Sequence, residues 1–259
     1  MLSIIIPTVG NRIIEIERLL ESLEKQSSPD FEIILVIQEN HAAIEKIAGN
    51  YKPNIKICNI FRKGLSHARN EGIKLINKQA TLVTFSDDDC WYPPNTVALV
   101  LDNFRKFNCS ICYQIFDPTI NEPYKAYPTH EKQKLSLRES LKVSSIEIFV
   151  PKLIVDAGLR FNEKFGLGTA YPSGEENIFL FDVIRQGYAI RYLPVSVVFH
   201  LKPIWANKEY IFKGKGALFA KLYDRYTAKL LIIIYAARKY KHSSNIFSDL
   251  TKMFKETLS

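Results

Sequence analysis

The 259 residues contain no run approaching the roughly 20 consecutive apolar residues that a membrane-spanning helix requires. The longest candidate, "LLIIIYAA" from Leu230 to Ala237, is less than half that length. A spanning segment is therefore not expected. Cysteine is scarce, with only Cys58, Cys90, Cys109 and Cys112. Cys109 and Cys112 have CxxC spacing, but no second pair and no nearby histidine completes a zinc set. They lie in "NCSICYQIF", which reads as a buried strand, so they are expected to be structural thiols. The opening "MLSIIIPTVG" has no basic leader region, and its apolar run is strand-length. With so few cysteines, the expectation is a reducing, cytoplasmic setting. Internal repeats and low-complexity tracts are also missing.

What is present is a globular composition, 47% hydrophobic and 24% charged, with a net charge of +8. Such a balance favours anionic partners. The excess is local: basic residues crowd the stretch from Lys213 to Lys241, while most carboxylates lie upstream. No nucleic-acid motif accompanies them, which argues against DNA or RNA as the partner.

The first half alternates between strand and helix patterns. "LSIIIP", "FEIILVI", "NIKICNI" and "ATLVTFS" are continuous apolar runs, as strands of a parallel sheet covered on both faces should be. Between them, "RIIEIERLLESLEKQ" puts Ile13, Ile16, Leu20 and Leu23 on one helical face. "HAAIEKIAG" and "GLSHARNEGIKLIN" also read as helices, and "PNTVALVLDNFRKF" as a further one with Pro93 and Pro94 at its start. The βαβαβ rhythm predicts an open, doubly wound α/β domain, which binds ligands beyond the carboxyl ends of its strands. After about Asp117 the pattern changes to a Pro-broken loop, a strand at "SSIEIFV" and a short helix at "PKLIVDAG". A Gly-rich loop then leads into a helix near Glu175–Arg185, followed by two short strands ending at His200.

Three clusters carry chemistry. "TFSDDDCWYPP" sets Asp87, Asp88 and Asp89 directly after a buried strand. One reading is a solvated turn capping the next helix. The other is a site for a hard divalent cation, which would relieve the mutual repulsion and bridge phosphates. In an extended segment Asp87 and Asp89 would point the same way and Asp88 away. "SGEEN" places Glu175 and Glu176 at a helix start, either as favourable N-terminal charges or as a general base aimed into a cleft. In "RKGLSHARNEG", Arg69 follows a helix start and is able to pair with a carboxylate or phosphate. His200 ends an apolar strand and would matter only beside a metal.

Taken in order, "SIIIPT", "FEIILVIQEN", "GLSHARNEGI", "FSDDDCWYPP", "LRFNEKFGLG", "SGEENIFLFDVIRQGYAIRYLP" and His200 resemble family 2 glycosyltransferases of the GT-A fold, over Ser3 to about His200. The resemblance implies a doubly wound, mostly parallel sheet with a basic helical C-terminal extension. It divides the chain into a nucleotide-sugar-binding half at 1–115, an acceptor-binding and catalytic half at 116–205, and the extension at 206–259. It also implies roles. Asp89 and His200 would hold Mn²⁺ or Mg²⁺ against the donor diphosphate. Pro7, Thr8, Glu39, Arg69, Asp87 and Asp88 would line the nucleotide-sugar site. Glu176, with Glu175 beside it, would be the catalytic base of an inverting transfer.

Some features depart from the family pattern. "IQEN" replaces the usual paired aspartates, Glu stands at the base position, and Asn162 takes the place of an Asp. The Q-x-x-R-W motif of processive synthases is absent, so one sugar per visit is expected. The implied partners are a nucleotide-sugar donor, UDP-linked, and a glycan or polyprenyl-diphosphate-linked acceptor, as in surface polysaccharide assembly. The alternative is a non-catalytic nucleotide-binding or partner-recruiting module. The tail from Lys208 to His242 reads either as a helical layer packed on the domain or as an interfacial element on the inner face of an anionic membrane.

Overall fold

In the first strand, β1 (Leu2–Thr8), neighbouring isoleucines serve different cores, because side chains alternate across a sheet. Ile4 and Ile6 join Leu35 and Leu20 on one face; Ile5 joins Val36, Val83 and Phe85 on the other. Both faces are covered, so β1, β2 (Phe31–Ile37) and β4 (Leu82–Phe85) are buried throughout. The third strand, β3 (Ile55–Asn59), is an edge strand and only partly buried.

The computed structural model describes residues 1–202, 214–239 and 246–255. Its sheet runs β3-β2-β1-β4-β7-β5-β6, with β8 (Ile190–Phe199) pairing the outer side of β5 (Ser110–Asp117). β1 to β4 are mutually parallel, and β8 is parallel to β5. β7 (Ile148–Pro151) is antiparallel to both β4 and β5, and the short β6 (Glu122–Pro123) is antiparallel to β5. The chain order reverses between β1 and β4, and a crevice opens at such a switch point.

Helices α1 (Ile13–Glu24), α2 (His41–Ala48) and α4 (Thr96–Phe107) cover one face. α3 (Leu65–Ile73), α6 (Lys152–Asp156) and α7 (Glu175–Arg185) cover the other. In α1 the buried stripe is Ile16, Leu19, Leu20 and Leu23, whereas Ile13, the first residue of the helix, is exposed. The two short strands expected before His200 are one strand with register shifts near Gln114, bulges that bend it without ending it.

α3 lies unusually close to the sheet. A Cβ added at Gly72 would come within 2.5 Å of Ile5 Cγ2 and 3.2 Å of Val36 Cγ2, both on buried β-branched side chains. Gly72→Ala is therefore expected to cost about 1–3 kcal/mol through overpacking. A lower urea midpoint at unchanged slope would show it.

Beyond His200, α8 (Lys215–Leu222) packs on α7 through Leu218, Ala217 and Leu222. α9 (Arg225–Lys239) and α10 (Ile246–Lys255) meet α8 around Phe219, Ala228, Ile232 and Met253. Part of the basic tail, residues 208–213 and 240–242, lies outside the described residues. No helix among the described residues is long and apolar enough to cross a membrane.

Candidate active site

A cleft of about 470 Å³ opens at the carboxyl ends of β1 and β4. Its wall includes Pro7, Thr8, Arg12, Gln38, Arg69, all three aspartates, Ser145, both glutamates and His200. The residues singled out in four separate stretches of sequence thus meet around one space. Glu39 is the exception: it stands outside the wall, paired with Lys63 at 2.6 Å, while its neighbour Gln38 lines the cleft.

The aspartate turn is fixed by hydrogen bonds at both ends. Ser86 donates its backbone N–H to Ile5, carrying on the β1–β4 ladder past the strand end. Trp91 and Phe199 exchange both backbone hydrogen bonds, at 3.1 and 2.7 Å. That bridge ties the turn to the end of β8 and sets His200 Nε2 3.1 Å from Asp89 Oδ1, across 111 residues of chain. Trp91 packs rather than projecting into the cleft, with the Arg18 guanidinium 3.8 Å over its ring, and Tyr92 is buried.

The three carboxylates do not alternate as in an extended strand. Asp88 and Asp89 form a turn, so Asp88 does not face away; it is buried, accepts from Thr8 Oγ1 at 2.7 Å and lines the cleft. Two arginines serve the three aspartates, and Arg12 is shared between Asp88 and Asp89. Arg69 Nη2 lies 2.9 Å from Asp87, and Arg12 Nη1 lies 2.9 Å from Asp88 and 2.6 Å from Asp89. Burial raises the Asp87 and Asp88 carboxyls above the usual range, against the opposing pull of Arg69, Thr8 and Arg12. Burial pushes Asp89 the same way, but the His200 and Arg12 contacts together outweigh it and hold its carboxyl low. Burial disfavours a charged His200, yet Asp89 outweighs that and raises the imidazole.

Arg69 is fully buried on α3 and joins three elements. Besides Asp87 it donates to Glu175 at 3.1 Å and to Ser145 at 2.9 Å. The adjacent Asn70 holds the Gly-rich segment by exchanging hydrogen bonds with the Phe161 backbone, both at 2.9 Å. Glu175 is therefore spoken for. Glu176, largely buried but lining the cleft, has no hydrogen bond or ion pair to another side chain among the described residues. Burial first, and then the Glu175 charge, pushes its carboxyl up to about 8.

Sequence reasoning missed Arg12, Arg18 and Ser145. Arg12 follows Thr8 by four residues, and a loop leaving the carboxyl end of β1 is where its signal lay. Ser145 had no comparable signal, because its place depends on how the antiparallel β7 is approached.

Residues 3–157 match the sequence profile of "Glycosyl transferase family 2". The chain belongs to glycosyl transferase family 2. An "Uncharacterized glycosyltransferase" from Haemophilus influenzae is 30% identical over 194 residues, 72% of this chain. The match spans 63% of that relative's length. Among solved structures, TarS 1–349 of S. aureus in complex with UDP-GlcNAc superposes with a TM-score of 0.69 at 16% identity, over 99% of this chain and 79% of that one. The mannosyltransferase PcManGT from Pyrobaculum calidifontis, in complex with GDP-Man and Mn²⁺, gives 0.64 at 14% identity, over 98% and 73%. At these identities the likeness establishes the GT-A fold, with its mixed, mostly parallel sheet.

Among the described residues, no three His, Cys, Asp or Glu side chains stand together as a complete metal cage. Asp89 and His200 offer one carboxylate and one imidazole side by side. Two donors suit a divalent cation whose other positions are filled by phosphate oxygens and water, and this donor pair is compatible with Mn²⁺.

Proposed function

We propose that the chain transfers a single sugar, with inversion and with a divalent cation, from a nucleoside-diphosphate donor to a glycan or lipid-linked acceptor. A UDP-sugar is the donor we favour, since TarS is seen with UDP-GlcNAc on the same fold. A role in surface polysaccharide assembly, at the inner face of the membrane, follows from the same reading. One observation carries it: the Asp87–Asp89 turn with His200 and the unpartnered Glu176 line the same cleft, at the sheet's switch point.

The roles follow from what each group can do. Thr8 and Asp88, hydrogen-bonded together, present polar atoms to the nucleoside side, with Pro7 beside them. Asp89 and His200 would hold the cation, which supplies positive charge for the leaving diphosphate. Glu176 takes the proton of the attacking hydroxyl, a poor nucleophile unless that proton is removed as the bond forms. Arg69, in the cleft wall of the nucleotide-sugar site, holds Asp87 and Glu175 in register.

Asp89→Ala tests the cation site. Removing even outer-shell partners weakens metal binding about 10–100-fold, and a direct donor should matter no less. The expected result is loss of the Mn²⁺-dependent tightening of UDP binding in calorimetry, with residual metal-free binding retained. Equal Mn²⁺ dependence in the variant would rule the site out. A wild-type protein that binds UDP with Mn²⁺ but turns over no donor with any acceptor would be a nucleotide-binding module instead.

A further inference from the structure

A second hollow of about 900 Å³ lies behind the cleft, between α5 (Leu137–Ser140), the first turn of α7, α8 and α9. Its lining is mainly apolar, with Leu141, Leu218, Phe219, Leu231 and Ile234 prominent. Four cations also line it: Arg138, Lys142, Lys215 and Arg238. No carboxylate is among the described lining residues, and none of the four cations has an ion pair or side-chain hydrogen bond among the described residues. Elsewhere on the surface, cations such as Lys25, Lys74, Arg105 and Lys152 are neutralised by a carboxylate three or four residues away. Unneutralised charge around an apolar hollow of ligand-binding size calls for an anion with an apolar body.

We infer that this hollow binds a lipid phosphate, its chain among the apolar side chains and its phosphate or diphosphate head on the cations. The chain gains by leaving water, and the head by charge-assisted hydrogen bonds. A free glycan matches the lining poorly, since Asn177, the one carboxamide among the described lining residues, already points at the Ser140 and Val143 carbonyls. A nucleic-acid strand needs a continuous charged groove, whereas this half-open hollow is lined mainly by apolar side chains. Ile234 continues outward into exposed Tyr226, Leu230 and Ile233 on α9, an apolar stripe by which a chain would reach the hollow from a bilayer.

The hollow shares a wall with the cleft. Asn177 lines one and Glu176 the other, and the Lys215 charge reaches Glu176. A head group on Lys215 thus lies against the reaction site, and the lipid is the carrier of the acceptor. This last role rests on the transferase reading; the binding does not. In the step it serves, an acceptor hydroxyl gives its proton to Glu176 and bonds to the anomeric carbon, while the sugar–phosphate bond breaks with its electron pair leaving on the diphosphate.

The test is calorimetry on the full chain with saturating UDP and Mn²⁺, so that the cleft is occupied. Farnesyl diphosphate is the ligand; farnesol and inorganic diphosphate are its two halves. Farnesyl diphosphate should bind at least about tenfold tighter than either half, and the double variant Arg138→Ala/Arg238→Ala should weaken it by at least about tenfold with UDP binding unchanged. Both arginines are exposed, so the variant should fold. Ile234→Gln, at a half-open position, should weaken the diphosphate lipid and leave inorganic diphosphate unaffected. Inorganic diphosphate binding as tightly as the lipid, no lipid binding, or lipid binding indifferent to both variants would each overturn the inference. So would a dimer that closes this face and excludes the lipid. Lipid binding without sugar transfer would instead sink the transferase reading and leave the site standing. Transfer to soluble glycans by a protein that ignores the lipid would do the reverse.

Discussion

Glu176→Gln is expected to lower sugar transfer by about 10²–10⁴-fold, the usual worth of a positioned general base, while UDP binding stays as in the wild type. Gln keeps the shape of the side chain and removes its capacity to take a proton. The wild-type rate should also carry the signature of Glu176. With its carboxyl raised to about 8, chiefly by burial, it is mostly protonated at neutral pH, so transfer should climb with pH and level off above that value. The residual rate of the variant should lack this rise. If Glu175→Gln abolishes transfer and Glu176→Gln does not, the base has been placed one residue too late.

The same substitution has a consequence for stability, of opposite sign. A carboxyl raised in the folded protein binds a proton that the unfolded chain has already released. Stability therefore falls as pH rises from the ordinary carboxylate range to about 8. Glu176→Gln removes that slope. The variant should melt above the wild type at pH 8 and level with it at pH 4.5. A gain in stability with a loss of turnover is what a site held against its own folding preference predicts.

The parallel half of the fold was legible because its physics is local. A strand covered on both faces must be largely apolar, and β1, β2 and β4 are, their few polar side chains Ser3, Thr8, Glu32 and Thr84 each being hydrogen-bonded. The aspartate turn was legible by position, since it follows such a strand directly. What each aspartate faces was not. Alternation applies to extended backbone, and the turn at Asp88–Asp89 breaks it, turning Asp88 toward Thr8. The cations that make three adjacent carboxylates tolerable come from α3 and from the loop after β1, and only the folded topology brings them there. Glu39 shows the converse: its sequence neighbourhood placed it in the nucleotide pocket, but the chain turns after Gln38 and leaves it to Lys63. The pairing of His200 with Asp89 depends on the backbone bridge between Trp91 and Phe199, to which no side-chain pattern points.

Arg69→Ala is expected to destabilise the fold by about 3–5 kcal/mol, because it strips the partner from the buried Glu175; Asp87, about a third exposed, loses the same partner but adds little, since solvent screens it. The deficit should depend on pH. Burial already holds the Asp87 carboxyl above its usual range with Arg69 opposing, and without Arg69 it rises further. The folded variant then binds a proton more tightly than the unfolded chain, so its deficit is largest above neutral pH and shrinks on acidification. Arg69→Lys separates charge from geometry. One ammonium restores a positive charge but does not reproduce the fork that reaches Glu175, Asp87 and Ser145 together. Denaturant melts should show Lys recovering most of the stability lost in Ala. Transfer should stay low in both, with kcat falling more than the UDP affinity. If Lys restores turnover along with stability, Arg69 acts as a buried counter-charge alone, and the alignment of the aspartate turn with α7 must be maintained by the Asn70 and Trp91 contacts instead.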